Sequence, residues 1–497
     1  MPKKSDYYAL LGLRRDASSE EIRRAYYKAA RRLHPDKMNS AQDSELFLEI
    51  QEAYKVLAEL KKRAKYDASL PPEPAEGGLI RQKLFYSRQN VTRTREPQLV
   101  YVLLEYSAAV DASTPSAGRP SAPPLNLCLV LDRSTSMRGK SMDVVKATAI
   151  QLLRRLRPED TLSIVTFSDR AETIIPATEN IELKKLEARI QMLQTSGGTE
   201  IFQGLESGYN EVLRGLKESQ VNHIILLTDG RTYGDEEQCL ELAKKAAEGG
   251  IGISGLGIGN EWNDDFLDEL ASLTGGSSLY VSRPQDIQHI LLEKFNNLWQ
   301  VYAKESTLEF KLSEGVDLRY AFRLQPEAGL LHVESPLRLG PILKDIDLKI
   351  LMEFMLQPPG DQTEIVSLLE GELDASIPTQ PYPLPPIQIH LVRPVANSPG
   401  LQTPPEEILR ALSHLTLYRL QEQARLEVAA GEYTKASQRL QRLATHLIEQ
   451  GERGLARTAL LEAEHIQRKN EFTQEGEKQI KYGTRALLLP GKKESPA

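Results

Sequence analysis

Two groups of residues in this 497-residue sequence combine types and spacings that can do chemistry. The first is His34-Pro35-Asp36, an imidazole and a carboxylate on either side of a residue that cannot continue a helix. The second is a set of oxygen donors spread along the chain: Asp132, Ser134 and Ser136, then Thr199, then Asp229. Two carboxylates and three hydroxyls make an oxygen-only site, which suits a hard cation. Few protein ligands, with water completing an octahedron, suit Mg²⁺. Because the hydroxyls are neutral, the ion keeps much of its charge and seeks an anionic ligand.

The elements that position the tripeptide are two amphipathic helices. Ser18 can cap the first, and Glu21 three residues later can reach back to close a capping box. Ile22, Ala25, Tyr26, Ala29, Ala30 and Leu33 recur at helical spacing on one face. Arg23, Arg24, Lys28, Arg31 and Arg32 fall on the other. Leu46, Phe47, Ile50, Ala53, Tyr54 and Leu57 mark the second helix, so the tripeptide forms an exposed tip between antiparallel helices. The oxygen set belongs to a stretch, residues 126–302, where apolar strands alternate with helices. Strands are expected at 127–131, 162–167, 224–227, 251–255 and 278–281, with helices such as 144–156 and 240–247 between them. Near-continuous apolar strands with helical crossovers imply an α/β doubly wound parallel sheet, and ligands of such sheets bind beyond the carboxyl ends of the strands. Taken singly, Asp132 and Ser134 also read as helix caps and Asp229 as a turn opener. Five oxygen donors at strand ends are not explained that way.

The helix pair resembles the J-domain of the DnaJ family. Asp6-Tyr7-Tyr8-Ala9-Leu10-Leu11-Gly12 matches that family's opening helix and Lys62-Arg63-Ala64-Lys65-Tyr66-Asp67 its closing segment. The resemblance implies an all-α J-domain over residues 1–68, whose basic face (Arg23, Arg24, Lys28, Arg31) docks on a DnaK-type ATPase. It also implies that His34, Pro35 and Asp36 trigger ATP hydrolysis there. Ala58-Glu59-Leu60 stands where the family often carries an Asp-Pro break, which implies that the last two helices run together. The second stretch resembles von Willebrand factor A domains with their metal-ion-dependent adhesion site. That resemblance implies that Ser134, Ser136 and Thr199 bind the ion directly, that Asp132 and Asp229 act partly through water, and that a partner's Glu or Asp carboxylate completes the sphere. Thr135 replaces a frequent Gly and Glu200 a frequent Asn or Asp.

Composition narrows the partners. The net charge is −7, yet residues 1–70 carry 15 Lys and Arg against 11 Asp and Glu. A small basic module on an acidic body suits an acidic protein partner better than nucleic acid. Cys128 and Cys239 stand far apart without a Cys-x-x-Cys pair, which excludes a zinc ribbon and fits a reducing compartment. No signal peptide is expected behind Met1-Pro2-Lys3-Lys4, and no run reaches the length needed for a membrane span. The protein is expected to be cytoplasmic. The eight histidines form no His-Glu-x-x-His, so no enzyme is expected. Gly255-Leu256-Gly257-Ile258-Gly259 reads as close backbone packing at the end of a core strand, not as a nucleotide loop.

Residues 69–80 form a Pro/Gly/Glu linker. Residues 81–125 and 303–398 carry alternating strands near 99–106, 307–312, 346–350 and 387–391, which predict a small β-sandwich with the metal-site domain inserted in it. The five prolines between Pro378 and Pro386 read as a stiff connection. Residues 404–488 read as a C-terminal α-helical bundle in which Gly431-Glu432 and Gly451-Glu452 echo each other. The sequence therefore points to a non-catalytic co-chaperone that brings a DnaK-type ATPase to a client held through a Mg²⁺-bridged carboxylate. Because zinc modules and a Gly/Phe-rich stretch are lacking, the client is expected to be a specific one. The alternative is a metal-dependent assembly scaffold working with a ring (AAA+) ATPase.

Overall fold

A computed structural model describes residues 7–11, 13, 19–32, 50–59, 62–63, 66, 79–109, 122–179, 182–217, 219–232, 234–380, 384–398 and 403–487. Its centre is a six-stranded sheet. From one edge the strands are Ala171–Thr178, Thr161–Phe167, Leu125–Asp132, Val221–Thr228, Ile251–Ile258 and Ser278–Val281. Five run parallel, and every residue of the three central strands is buried, as helices on both faces require. The sixth, Ala171–Thr178, is an antiparallel edge strand absent from the sequence reading. Its half-exposed pattern and Pro176 give no apolar run, and proline is tolerated because the strand lies on the edge. The strand Ile251–Ile258 runs through the glycine cluster. A Cβ on Gly257 would sit 2.0 Å from the Trp262 ring, so glycine there is what lets the indole pack flat on the strand.

The domain is inserted in a β-sandwich. One sheet orders Ile80–Tyr86, Gln98–Ala108, Leu348–Leu356, Val316–Gln325 and Gly329–Leu330. The other orders Leu337–Arg338, Glu305–Leu312, Ile365–Ser376, Ile387–Ala396 and Val91–Thr92. Val102, Leu104, Ile350, Met352 and Phe354 of the first pack against Leu308, Leu373 and Leu391 of the second. Gln98–Ala108 is apolar throughout its middle because its other face is covered too. Leu103, Phe322 and Leu351 pack there on Ile408, Leu415 and Tyr418 of a long helix, Glu406–Ala429.

That helix opens a four-helix bundle completed by Tyr433–Glu449, Arg453–Lys469 and Gln474–Ala486. The repeated Gly-Glu pair is one helix-to-helix turn used twice. Gly431 (φ 77°) and Gly451 (φ 86°) adopt the left-handed conformation, and the following Glu432 and Glu452 N–H groups bond back to Glu427 and Leu447 carbonyls at 2.8 Å each. The last helix keeps Ile480 in the bundle core and grips the α/β domain with its other side chains. Tyr482 packs with Trp262 and Tyr280, Lys478 donates to the carbonyls of Asn260 and Trp262, and Arg485 makes two 2.7 Å bonds to Asp268.

At the opposite end of the sheet, Lys294 bridges Ser277 at 3.0 Å and Glu327 at 2.6 Å, and His223 bonds Ser254 at 3.0 Å. Burial, with Lys294 adding, lowers the His223 imidazole to about 3, while Lys294 holds the Glu327 carboxyl at about 2 against the opposing effect of burial. Both folded-state values lie below their unfolded ones, so the unfolded chain binds more protons as pH falls. His223 therefore removes stability from pH 6.5 downward and Glu327 from 4.5 downward. The slope from one such group approaches about 1.4 kcal/mol per pH unit. Between pH 7 and 5 the urea midpoint of the native protein should fall relative to that of His223→Gln, a difference that cancels the opposite contribution of other titrating groups common to both.

The N-terminal module has its own small core, Leu10, Leu11, Ile22, Ile50, Ala53 and Leu57. Tyr26 stacks on Tyr54 at 4.1 Å and Tyr7 on Tyr66 at 4.5 Å. The helix at residues 50–57 stops in a turn at Ala58 and a bend at Glu59, which corrects the expectation of a continuous run. Arg63 N–H restarts helical bonding on the Glu59 carbonyl at 2.8 Å, and this break turns Tyr66 back toward Tyr7. Among the described residues no helix is long and apolar enough to cross a membrane.

Candidate metal centre and docking helix

The chain leaves the central strand Leu125–Asp132 toward one edge of the sheet and returns on its other side at Val221–Thr228. The carboxyl end of that strand is therefore the switch point where a crevice opens. Asp132 ends the strand, fully buried. One of its oxygens accepts the Ser134 N–H at 2.7 Å and the other the Thr228 hydroxyl at 2.7 Å. Ser134 and Ser136 hydroxyls lie 2.9 Å apart, and Ser136 donates to Asp229 at 2.6 Å. The four residues thus form one hydrogen-bonded chain across two adjacent strand ends. Thr199 comes from a third segment, just before the helix Ile201–Arg214. A Cβ on Gly230 would sit 2.9 Å from its hydroxyl oxygen, so glycine is what allows Thr199 to approach the Asp229 loop. Thr135, in place of glycine, donates its hydroxyl to the Gly197 carbonyl at 3.0 Å and its N–H to the same oxygen at 3.1 Å. That residue ties the first loop to the second.

Burial raises the Asp132 carboxyl above its ordinary range. Asp229 is pushed up to about 6 by burial, with Asp132 and Glu261 adding to the effect. Two carboxylates gathered in a half-buried cluster at this electrostatic cost fit a cation. Among the described residues no group of three or more His, Cys, Asp and Glu side chains forms a metal cluster. The candidate site therefore depends on its hydroxyls, and the donor set is all oxygen, as a hard cation requires. Thr228 escaped the sequence reading, although it precedes Asp229 directly. Its part as the second partner of Asp132 depends on strand register, which pairs the Leu131 level with Leu227.

On the N-terminal module, the helix Ser19–Arg32 exposes Arg23, Arg24 and Lys28 on the side away from Ile22. Lys28 lies 3.1 Å from Asp374 of the sandwich. Arg31 belongs to the same helix. His34, Pro35 and Asp36 lie outside the described residues.

Family models match these parts in order. A DnaJ domain matches residues 6–67 and a von Willebrand factor type A domain residues 126–293. The chain joins a DnaJ domain to a von Willebrand factor type A domain. The model of the Sll0103-like C-terminal alpha-helical domain matches residues 406–490, a range that includes the four helices of the bundle. The uncharacterized protein sll0103 of Synechocystis is 34% identical over 242 residues, 47% of this chain and 57% of that protein. The DnaJ chaperone of Exiguobacterium sibiricum is 47% identical over 76 residues, 15% of this chain and 21% of that one. The chain thus spans less than two thirds of either relative. A solved von Willebrand factor type A protein from Catenulispora acidiphila shares the fold over 83% of this chain and 98% of its own, with a TM-score of 0.63 at 13% identity.

Proposed function

We propose that this DnaJ–von Willebrand factor A protein is a co-chaperone without catalysis of its own. Its DnaJ domain recruits a DnaK-type ATPase through Arg23, Arg24, Lys28 and Arg31 and triggers hydrolysis through His34, Pro35 and Asp36. Its α/β domain holds a specific protein client. Ser134, Ser136 and Thr199 would hold Mg²⁺ directly, and Asp132 and Asp229 would supply negative charge behind them, partly through water. When bound, the ion supplies an open coordination position for a Glu or Asp carboxylate of the client. The observation that supports this reading best is the single hydrogen-bonded chain of Asp132, Ser134, Ser136 and Asp229 in a molecule that also carries a DnaJ domain.

The test is affinity capture from cell extract with the full chain, once in Mg²⁺ and once in chelator. A client retained only in Mg²⁺, and lost with Asp132→Ala, is the expected result. A client retained equally under both conditions contradicts the metal-bridged mechanism.

A further inference from the structure

The helix Ile201–Arg214, which follows Thr199, lacks the cap its own sequence should supply. Glu200 occupies the N-cap position but makes no side-chain cap bond; its carboxylate instead accepts from the Gln203 amide at 2.7 Å. The first helical N–H groups have no partner inside a helix and need one from elsewhere. They find it on the loop that carries Asp229. The Thr232 hydroxyl accepts the Ile201 N–H at 3.2 Å, and the Asp235 carboxylate accepts the Phe202 N–H at 2.9 Å. Thr232 is buried, donates its own proton to Asp235, and lies 3.5 Å from the Thr199 carbonyl oxygen. Asp235 in turn stands at the N-cap of the next helix, Glu236–Glu248, yet makes no side-chain cap bond there. The residue placed to cap one helix caps another.

We infer that Thr232 and Asp235 are positioning residues of the metal centre. By capping the Ile201–Arg214 helix from the Asp229 loop, they lock Thr199 and Asp229 into a fixed separation. The inference rests on the metal reading above and adds the residues that set its affinity. Partners one shell removed from a metal ligand change affinity by roughly 10–100-fold when removed. Thr232→Val removes the cap without changing charge and should weaken Mg²⁺ binding by about tenfold or more. Thr232→Ser keeps the hydroxyl and should bind as the native protein does.

The experiment is calorimetric titration of the full chain with MgCl₂ alone, paired with thermal melting. A stability role and a positioning role are separated by Glu200→Asn/Asp235→Ala, in which asparagine caps the helix from its own N-cap position. The melting temperature should recover relative to Asp235→Ala, while Mg²⁺ affinity stays low. Native affinity in Thr232→Val, or affinity that recovers together with melting temperature in the double variant, overturns the inference and leaves the metal site standing. A native chain that binds no Mg²⁺ overturns both.

Discussion

Replacing Asp229 with alanine is expected to abolish Mg²⁺ binding and leave the metal-free protein at least as stable as before. Those two effects have opposite signs for one physical reason. Asp229 accepts a 2.6 Å bond from Ser136 and faces the negative charges of Asp132 and Glu261 from a half-buried position. Without a cation it is a burden on the fold, and alanine relieves that repulsion. With a cation it contributes to the site's negative charge. In the native chain, Mg²⁺ at a hundredfold over its dissociation constant should add about 2.7 kcal/mol of stability. Thermal melts with and without MgCl₂ therefore check it: the native transition moves upward, and that of Asp229→Ala does not. A metal-dependent shift that survives in Asp229→Ala removes the residue from the site. Destabilisation of the metal-free variant by more than about 1 kcal/mol would give Asp229 the part of an ordinary hydrogen-bonded structural residue.

The second large effect concerns the clamp between the C-terminal bundle and the α/β domain. Arg485 and Lys481 are almost wholly buried, and both reach Asp268, at 2.7 and 2.9 Å. Burial alone would raise the Asp268 carboxyl; Arg485 and Lys481 override it and hold the group well below its usual range. Asp268→Ala strands the Arg485 guanidinium among Tyr418 and Tyr482, with the 3.2 Å bond to the Tyr418 hydroxyl in place of a carboxylate. Breaking a buried pair from one side costs about 3–5 kcal/mol, and the partial exposure of Asp268 places the expected loss near the lower figure. Asp265, with its side chain 73% exposed, also pairs with Lys481, and Asp265→Ala should cost under about 1 kcal/mol. Urea denaturation of the two variants checks the ranking. Faster amide exchange across residues 474–486 in Asp268→Ala alone would locate the loss at this clamp. Equal losses in the two variants would contradict it.

How much of this was legible in the sequence depended on where each signal came from. The buried parallel strands announce themselves because a sheet covered on both faces needs unbroken apolar runs, as in Leu127-Cys128-Leu129-Val130-Leu131. The five oxygen donors were legible for the same reason, since each stands where such a run ends or a helix begins. Val316–Gln325 was not, because Asp317, Arg319, Arg323 and Gln325 interrupt it. Arg323 is nonetheless buried, its guanidinium bonded to the carbonyls of Gly275, Gly276 and Leu339, partners distant in sequence. The cap by Thr232 and Asp235 was hidden differently. Asp235 ahead of Glu236-Glu237 reads as the start of its own helix, and only the fold shows its carboxylate turned to Phe202. Local signals mark elements and ligands; the residues that hold ligands at fixed distances come from tertiary contacts.

If the DnaJ domain drives a DnaK-type ATPase for whatever the α/β domain holds, hydrolysis by that ATPase must depend on His34. The most direct measurement is steady-state ATP hydrolysis by a purified DnaK-type chaperone with the full chain added, native and His34→Gln. Stimulation by the native chain and its loss in His34→Gln, with Mg²⁺-dependent client capture unchanged in both, is the predicted result. Equal stimulation by the two chains, or none by either, contradicts it.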